Sequence, residues 1–210
     1  MPHYWLPIGG IFSALEPLVF LGMAIYAYSA MRRSGLAHPN KMAIHWTIGS
    51  AIFSAVGAGI LGLAHTWPAV NKWTHGTMIT PMHGHMAFFG AYVMIVLAII
   101  TYAMPEYYGH SDETRESSVG LWAFWLQISG MFGMTMAFAA AGITQTYLER
   151  IMGLGYLDTQ RKMQVHYLML TAAGILFVIG VGLFLYDFFI LAPRRTGERK
   201  AFPEAQLAET

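Results

Sequence analysis

Cysteine is absent from the 210 residues, and charge is scarce, with 11% of positions Asp, Glu, Lys or Arg. The first absence excludes disulfides, thiolate-bound zinc and iron–sulfur ligation by this chain. The second separates it from soluble domains, in which about a quarter of residues are charged. A net charge of +1 supplies no electrostatic footprint for nucleic acid or for an acidic partner. No glycine-rich phosphate loop, internal repeat or nucleophile triad is present. What remains is apolar: 56% hydrophobic residues and a mean hydropathy of +0.47.

The apolar residues fall into five runs, 5–31, 42–66, 81–104, 120–148 and 165–191. Each reaches or exceeds the roughly 20 helical residues, at about 1.5 Å apiece, that cross a hydrocarbon core of about 30 Å. The expected fold is all-α, a polytopic transmembrane bundle of about five helices over residues 1–191, followed by a cytoplasmic tail at 192–210. The first run is too long for a cleavable signal and has no basic leader, so it is read as a span. Lys and Arg outside the runs number eight on the side of the first and third connections and the tail, and four on the other. This bias predicts an outer N-terminus and a cytoplasmic C-terminus.

Two histidines head the third run, in Pro81-Met82-His83-Gly84-His85-Met86. On a helix, side chains two positions apart diverge by about 200°, so His83 and His85 cannot easily grip one metal ion. Each can serve a separate one, and imidazole is a common axial ligand of haem iron. A packing histidine or a proton carrier is the alternative. Glu16, followed by Pro17, sits halfway along the first run, where a carboxylate requires water, a polar cavity or a partner. His45 and His65 read as interface residues, and Asp187 as an interfacial charge near Arg194 and Arg195. The stripes Ser50, Ser54, Ala58, Gly62 and Gly133, Ala137, Ala141 suit close helix contact or the flank of a planar cofactor. The connection 66–77 reads as a polar loop on the outer face, where Asn71, Lys72 and His75 could bind carboxylates.

The string Thr74-His75-Gly76-Thr77-Met78-Ile79-Thr80-Pro81-Met82-His83-Gly84-His85-Met86 closely resembles the cytochrome b subunit of bacterial nitric oxide reductase, in the haem–copper oxidase superfamily. So do Ser13-Ala14-Leu15-Glu16-Pro17, His65-Thr66-Trp67-Pro68-Ala69-Val70-Asn71, Tyr147-Leu148-Glu149-Arg150 and Tyr186-Asp187-Phe188-Phe189. The resemblance implies the C-terminal portion of a subunit I fold in a bacterial inner membrane. It implies His83 as ligand of the high-spin haem b3, His85 as one axial ligand of the low-spin haem b, and Glu16 as an acid beside a non-haem iron. His75 and Asn71 would lie near the haem propionates on the periplasmic side.

The family subunit has about twelve helices, and this chain matches its last five. The iron-binding histidines and the second axial histidine of haem b are expected elsewhere, in the N-terminal part of the same subunit, and His3 is a poor substitute for them. The implied activity is reduction of nitric oxide to nitrous oxide, with a cytochrome c-type subunit or a quinol as electron donor, membrane lipid as surroundings and no competence in the chain alone. The alternatives are a fragment of a haem–copper terminal oxidase, or a non-enzymatic membrane cytochrome or transporter component.

Overall fold

A computed structural model describes residues 4–35, 40–107 and 117–192. His3, the acidic part of the third connection, Arg194, Arg195 and nearly all of the tail lie outside these residues, as does the side chain of Glu16. The described chain is helical: α1 (Trp5–Ser34), α2 (Lys41–Thr66), the short α3 (Pro68–Thr74), α4 (Ile79–Met104), α5 (Ser118–Ile151), the short α6 (Tyr156–Lys162) and α7 (Gln164–Leu191). Among the described residues, α2, α4, α5 and α7 combine the length and the hydropathy needed to cross a membrane. Helix α1 has the length, 30 residues.

The helix ends follow local chemistry. Gly35 closes α1 at φ 68°, returning its N–H to Arg32, and Arg32 and Arg33 in the last turn offset the negative end of the helix dipole. The Asn40 Oδ1 accepts the Ala43 N–H at 3.0 Å at the start of α2. Helix α4 begins at Ile79, two residues before the expected start, because Pro81 is tolerated in a first turn whose amides have no intrahelical partner. The connection 66–77, read as a loop, instead contains α3. Trp67 is extended at ψ 121° ahead of Pro68, which occupies the first turn; proline is suited to that place and biases its predecessor toward extended backbone.

Within lipid no hydrophobic force drives helix against helix, so close backbone approach and interhelical hydrogen bonds matter more. Helices α2 and α4 meet at Gly57 and Gly90: a Cβ at Gly57 would lie 2.6 Å from the Ala87 backbone nitrogen, and one at Gly90 2.5 Å from that of Ser54. Ser50 donates its hydroxyl to the Gly90 carbonyl at 2.5 Å. Helices α5 and α7 meet in the same way at Gly130 and Gly180, where Gln127 Nε2 donates to the Gly180 carbonyl at 3.3 Å. Behind these contacts lies a core of Trp46, Phe53, Phe89, Met94, Phe124 and Met131. The rings of Trp46 and Phe124 meet edge to face, with centroids 4.9 Å apart.

Asp187, expected as an interfacial charge, lies near the end of α7 and is buried by protein. It is 7% exposed and accepts the Ser117 hydroxyl at 2.7 Å, while Ser117 Oγ accepts the Gly120 N–H at the start of α5. A carboxylate near the positive end of a helix dipole is favourable, and this one ties α7 to the first turn of α5.

Candidate functional site

The first turns of α4 carry His83 and His85, and their rings go to different neighbours. His83 faces α2. Its Nδ1 lies 2.8 Å from the Gly57 carbonyl, its Cε1 would be 3.2 Å from a Cβ at Gly62, and its ring centroid is 5.9 Å from that of His65. His85 faces α5, with its ring 5.0 Å from Phe138 and its Nδ1 2.8 Å from the Pro81 carbonyl. The small-residue stripe of α2 therefore does two things: Ser50 bonds α4, and Gly62 makes room for the His83 imidazole.

A carbonyl oxygen only accepts, so each Nδ1 must carry the proton, which leaves the Nε2 lone pair free to bind a metal. A histidine that ligates a metal through one nitrogen is commonly fixed in this way through the other. The two bonds differ in weight. His45 makes the same bond back one turn as His85 does, from Nδ1 to the Lys41 carbonyl at 2.7 Å, so this contact is partly a local habit of helices. The bond from His83 to Gly57 crosses between helices and is the more specific. Gly57 also lies in a π-helical segment, Ala55–Leu61, a departure from the α pattern that often accompanies functional sites.

Beside His85, between α4, α5 and α7, is a cavity of about 650 Å³ walled by Gly84, Phe88, Phe89, Met131 and Phe177. Its volume falls within the roughly 300–1,000 Å³ of small-molecule and cofactor sites. One imidazole in a largely apolar wall would suit a porphyrin iron, whose macrocycle brings its own nitrogen donors, better than a bare ion, which needs several protein donors. Among the described residues no three His, Cys, Asp or Glu side chains converge as a metal cage. A second cavity, of about 370 Å³, shares Thr80 and Pro81 with the first and is lined by His75, Thr77, Gln145, Tyr156 and Gln160. The apolar chamber thus adjoins a polar one.

Of the residues singled out in the connection 66–77, His75 lines the polar chamber, and its carbonyl accepts from Arg150 Nη2 at 3.4 Å. Asn71 turns to the backbone and donates to the His65 carbonyl at 2.8 Å. Lys72 lies over the Trp73 ring at 5.3 Å. Glu16 belongs to α1, which packs along α2 with Gly10 against Thr66. Sequence reasoning missed His65 as a neighbour of His83. Its ring nitrogens lie 3.3 Å from the hydroxyls of Thr74 and of Thr80. The signal was available, since antiparallel α2 and α4 bring the end of one beside the start of the other.

The family model described as Cytochrome C and Quinol oxidase polypeptide I matches residues 1–176. The chain is also 39% identical over 193 residues to a nitric oxide reductase subunit of Stutzerimonas stutzeri, an alignment covering 89% of this chain and 41% of that protein. It therefore spans about two fifths of the length of that relative. A helical bundle with singly presented, proton-fixed imidazoles, one of them beside a large apolar cavity, accords with a haem-binding subunit, and the match over most of the chain is decisive: the chain belongs to the cytochrome c and quinol oxidase polypeptide I family, that of haem–copper oxidase subunit I.

Proposed function

We propose that this chain is the C-terminal part of a nitric oxide reductase catalytic subunit, in which His83 holds haem b3 and His85 supplies one axial ligand of haem b. The divergence of two imidazoles, each with Nδ1 tied to a carbonyl, carries the reading. The likeness to a reductase subunit over nearly the whole chain supports nitric oxide as substrate. When bound, the haems supply electron transfer and, with a non-haem iron, a positive centre for the developing anionic N–O species.

The chain's own residues bind, orient and exclude water. Gly57 and Pro81 fix the two tautomers, and Phe88, Phe89, Met131 and Phe177 give the His85 side a low-dielectric wall. Glu16 is assigned as a proton donor or relay to the nitric oxide centre, and the polar chamber at His75 as the end that receives the carboxylates of haem b. Two nitric oxide molecules, two electrons and two protons give nitrous oxide and water.

The ligands of the non-haem iron and the second axial ligand of haem b are assigned to the N-terminal part of the same subunit, without which the chain is inactive. Electrons come from a cytochrome c-type subunit or a quinol. The N-terminus is assigned to the periplasm and residues 192–210 to the cytoplasm, in a bacterial inner membrane.

The test is spectroscopic, on the chain expressed with that N-terminal part. His83→Ala abolishes the high-spin haem signal and turnover, whereas His85→Ala removes the low-spin signal. Equal loss of both haems from either substitution refutes the separate assignments. Water instead of nitrous oxide as sole product, with copper at the second metal, would make the complex a terminal oxidase.

A further inference from the structure

The start of the histidine-bearing helix is held locally, where the Ile79 N–H donates to Thr77 Oγ1 at 3.3 Å, and also from outside. Met78, which precedes α4, has no side-chain cap, and the first amides of a helix have no partner within it. The Met78 N–H donates instead to Gln145 Oε1 on α5 at 3.0 Å. Gln145 is 3% exposed, and its Nε2 donates to Glu149 Oε1 at 3.1 Å. One turn earlier on α5, a Cβ at Gly142 would lie 2.5 Å from the Ile79 nitrogen, so the two backbones touch there. Two consecutive residues, Met78 and Ile79, are thus pinned to α5. Pro81, whose carbonyl fixes the His85 tautomer, comes two residues later.

A side-chain amide can face either way. With its NH₂ held by the Glu149 carboxylate, the Gln145 oxygen is the atom left to meet Met78; the flipped amide would set donor against donor and leave a part-buried N–H unpaired. We infer that Gln145 and Glu149 form a positioning pair that sets the height and rotation of α4, and so aims the His85 imidazole at its cavity. This rests on the haem reading above.

The variants Gln145→Met, Glu149→Leu and Glu149→Gln are compared in the assembled protein through the His85-dependent low-spin band, its reduction midpoint and hydrogen exchange at the Met78 amide. Gln145→Met shifts the band and the midpoint and speeds Met78 exchange by about tenfold, the equivalent of one lost hydrogen bond. Glu149→Leu shifts both in the same direction. Glu149→Gln retains an acceptor for Gln145 and restores the wild-type band, which separates positioning from an effect of the carboxylate's charge. An unchanged band and midpoint in Gln145→Met overturns the inference, whatever happens to its melting temperature. If the wild type holds no His85-dependent haem, the haem reading fails. The exchange arm still judges the pin, because it needs no haem: unaltered protection of Met78 in Gln145→Met removes it. Should Gln145→Met not fold, the contrast between the two Glu149 variants decides.

Discussion

Replacing Gly57 with alanine tests the join between fold and site, because this one residue makes both a close backbone approach of α2 to α4 and the carbonyl that holds His83. The new Cβ would stand 2.6 Å from the Ala87 nitrogen, 2.7 Å from the Met86 carbonyl carbon and 2.9 Å from the Ala87 Cα. All three are backbone atoms, so no rotamer change relieves the contact. Reaching an ordinary separation of about 3.5 Å moves the helices apart by about 0.9 Å. The same displacement stretches the bond between His83 Nδ1 and the Gly57 carbonyl, now 2.8 Å, past the roughly 3.2 Å limit for such bonds. Overpacking costs about 1–3 kcal/mol and the lost bond about 0.5–1.5 kcal/mol, so a loss of about 2–4 kcal/mol is expected. The assay is reversible denaturant unfolding in detergent, paired with nitrogen NMR of the His83 ring. Gly174→Ala is the control, since a Cβ there meets nothing within 4 Å, and its stability should stay within about 1 kcal/mol of the wild type. If Gly57→Ala matches the control in stability and keeps the His83 ring signals, the coupling between close approach and tautomer is wrong.

Two further outcomes follow from the packing. Ser117→Ala removes both the cap on α5 and the donor to buried Asp187 and should cost about 1–3 kcal/mol, whereas Asp187→Asn keeps an acceptor and should cost less; a double-mutant cycle showing no coupling between 117 and 187 would remove Asp187 from the cap. Gly84→Leu adds a side chain where a Cβ meets nothing within 4 Å but where the residue lines the 650 Å³ cavity, so the fold should persist while the His85-dependent absorbance falls; undiminished absorbance would show that the cavity is not the macrocycle's seat.

The membrane helices were legible because lipid requires each crossing segment to satisfy its own backbone and stay apolar, which writes its length into the sequence. Their ends were less so, as Pro81 shows, because proline is compatible with both the turn before a helix and the first turn inside it. The divergence of His83 and His85 was readable from helical periodicity alone. The π-helical segments at Ala55–Leu61 and Phe89–Val93 were not, since a shift of one residue in hydrogen-bond register leaves no compositional mark. The buried bond of Asp187 was hidden for a related reason: hydropathy gives a residue's depth along its own helix, whereas its partner Ser117 lies 70 positions away. Asn71 and His75 both looked like polar loop residues, and only the folding of α3 turned one to the backbone and left the other lining a cavity.

The site's asymmetry bears on what covers it. A small share of α7 is buried, 11% of its most apolar stretch against 39% for α2 and 44% for α5. Apolar side chains on such a face need no further cover in a bilayer, because lipid tails solvate them as well as protein does. An imidazole is different, since a polar group turned to hydrocarbon is costly unless it is paired. His83 is half-buried against α2 and its neighbouring His65. His85 is exposed on the flank of α4, beside a cavity open between three helices. Its Nδ1 is satisfied by Pro81, so the outstanding polarity is at Nε2. A haem bound there, as proposed, would be held by His85 and would lie against the apolar side chains of Phe88, Phe89, Met131 and Phe177. Lipid alone on the same face would satisfy the four apolar side chains and leave the imidazole unpaired, and for that reason the proposed function seats a haem against His85 rather than against any exposed leucine or valine.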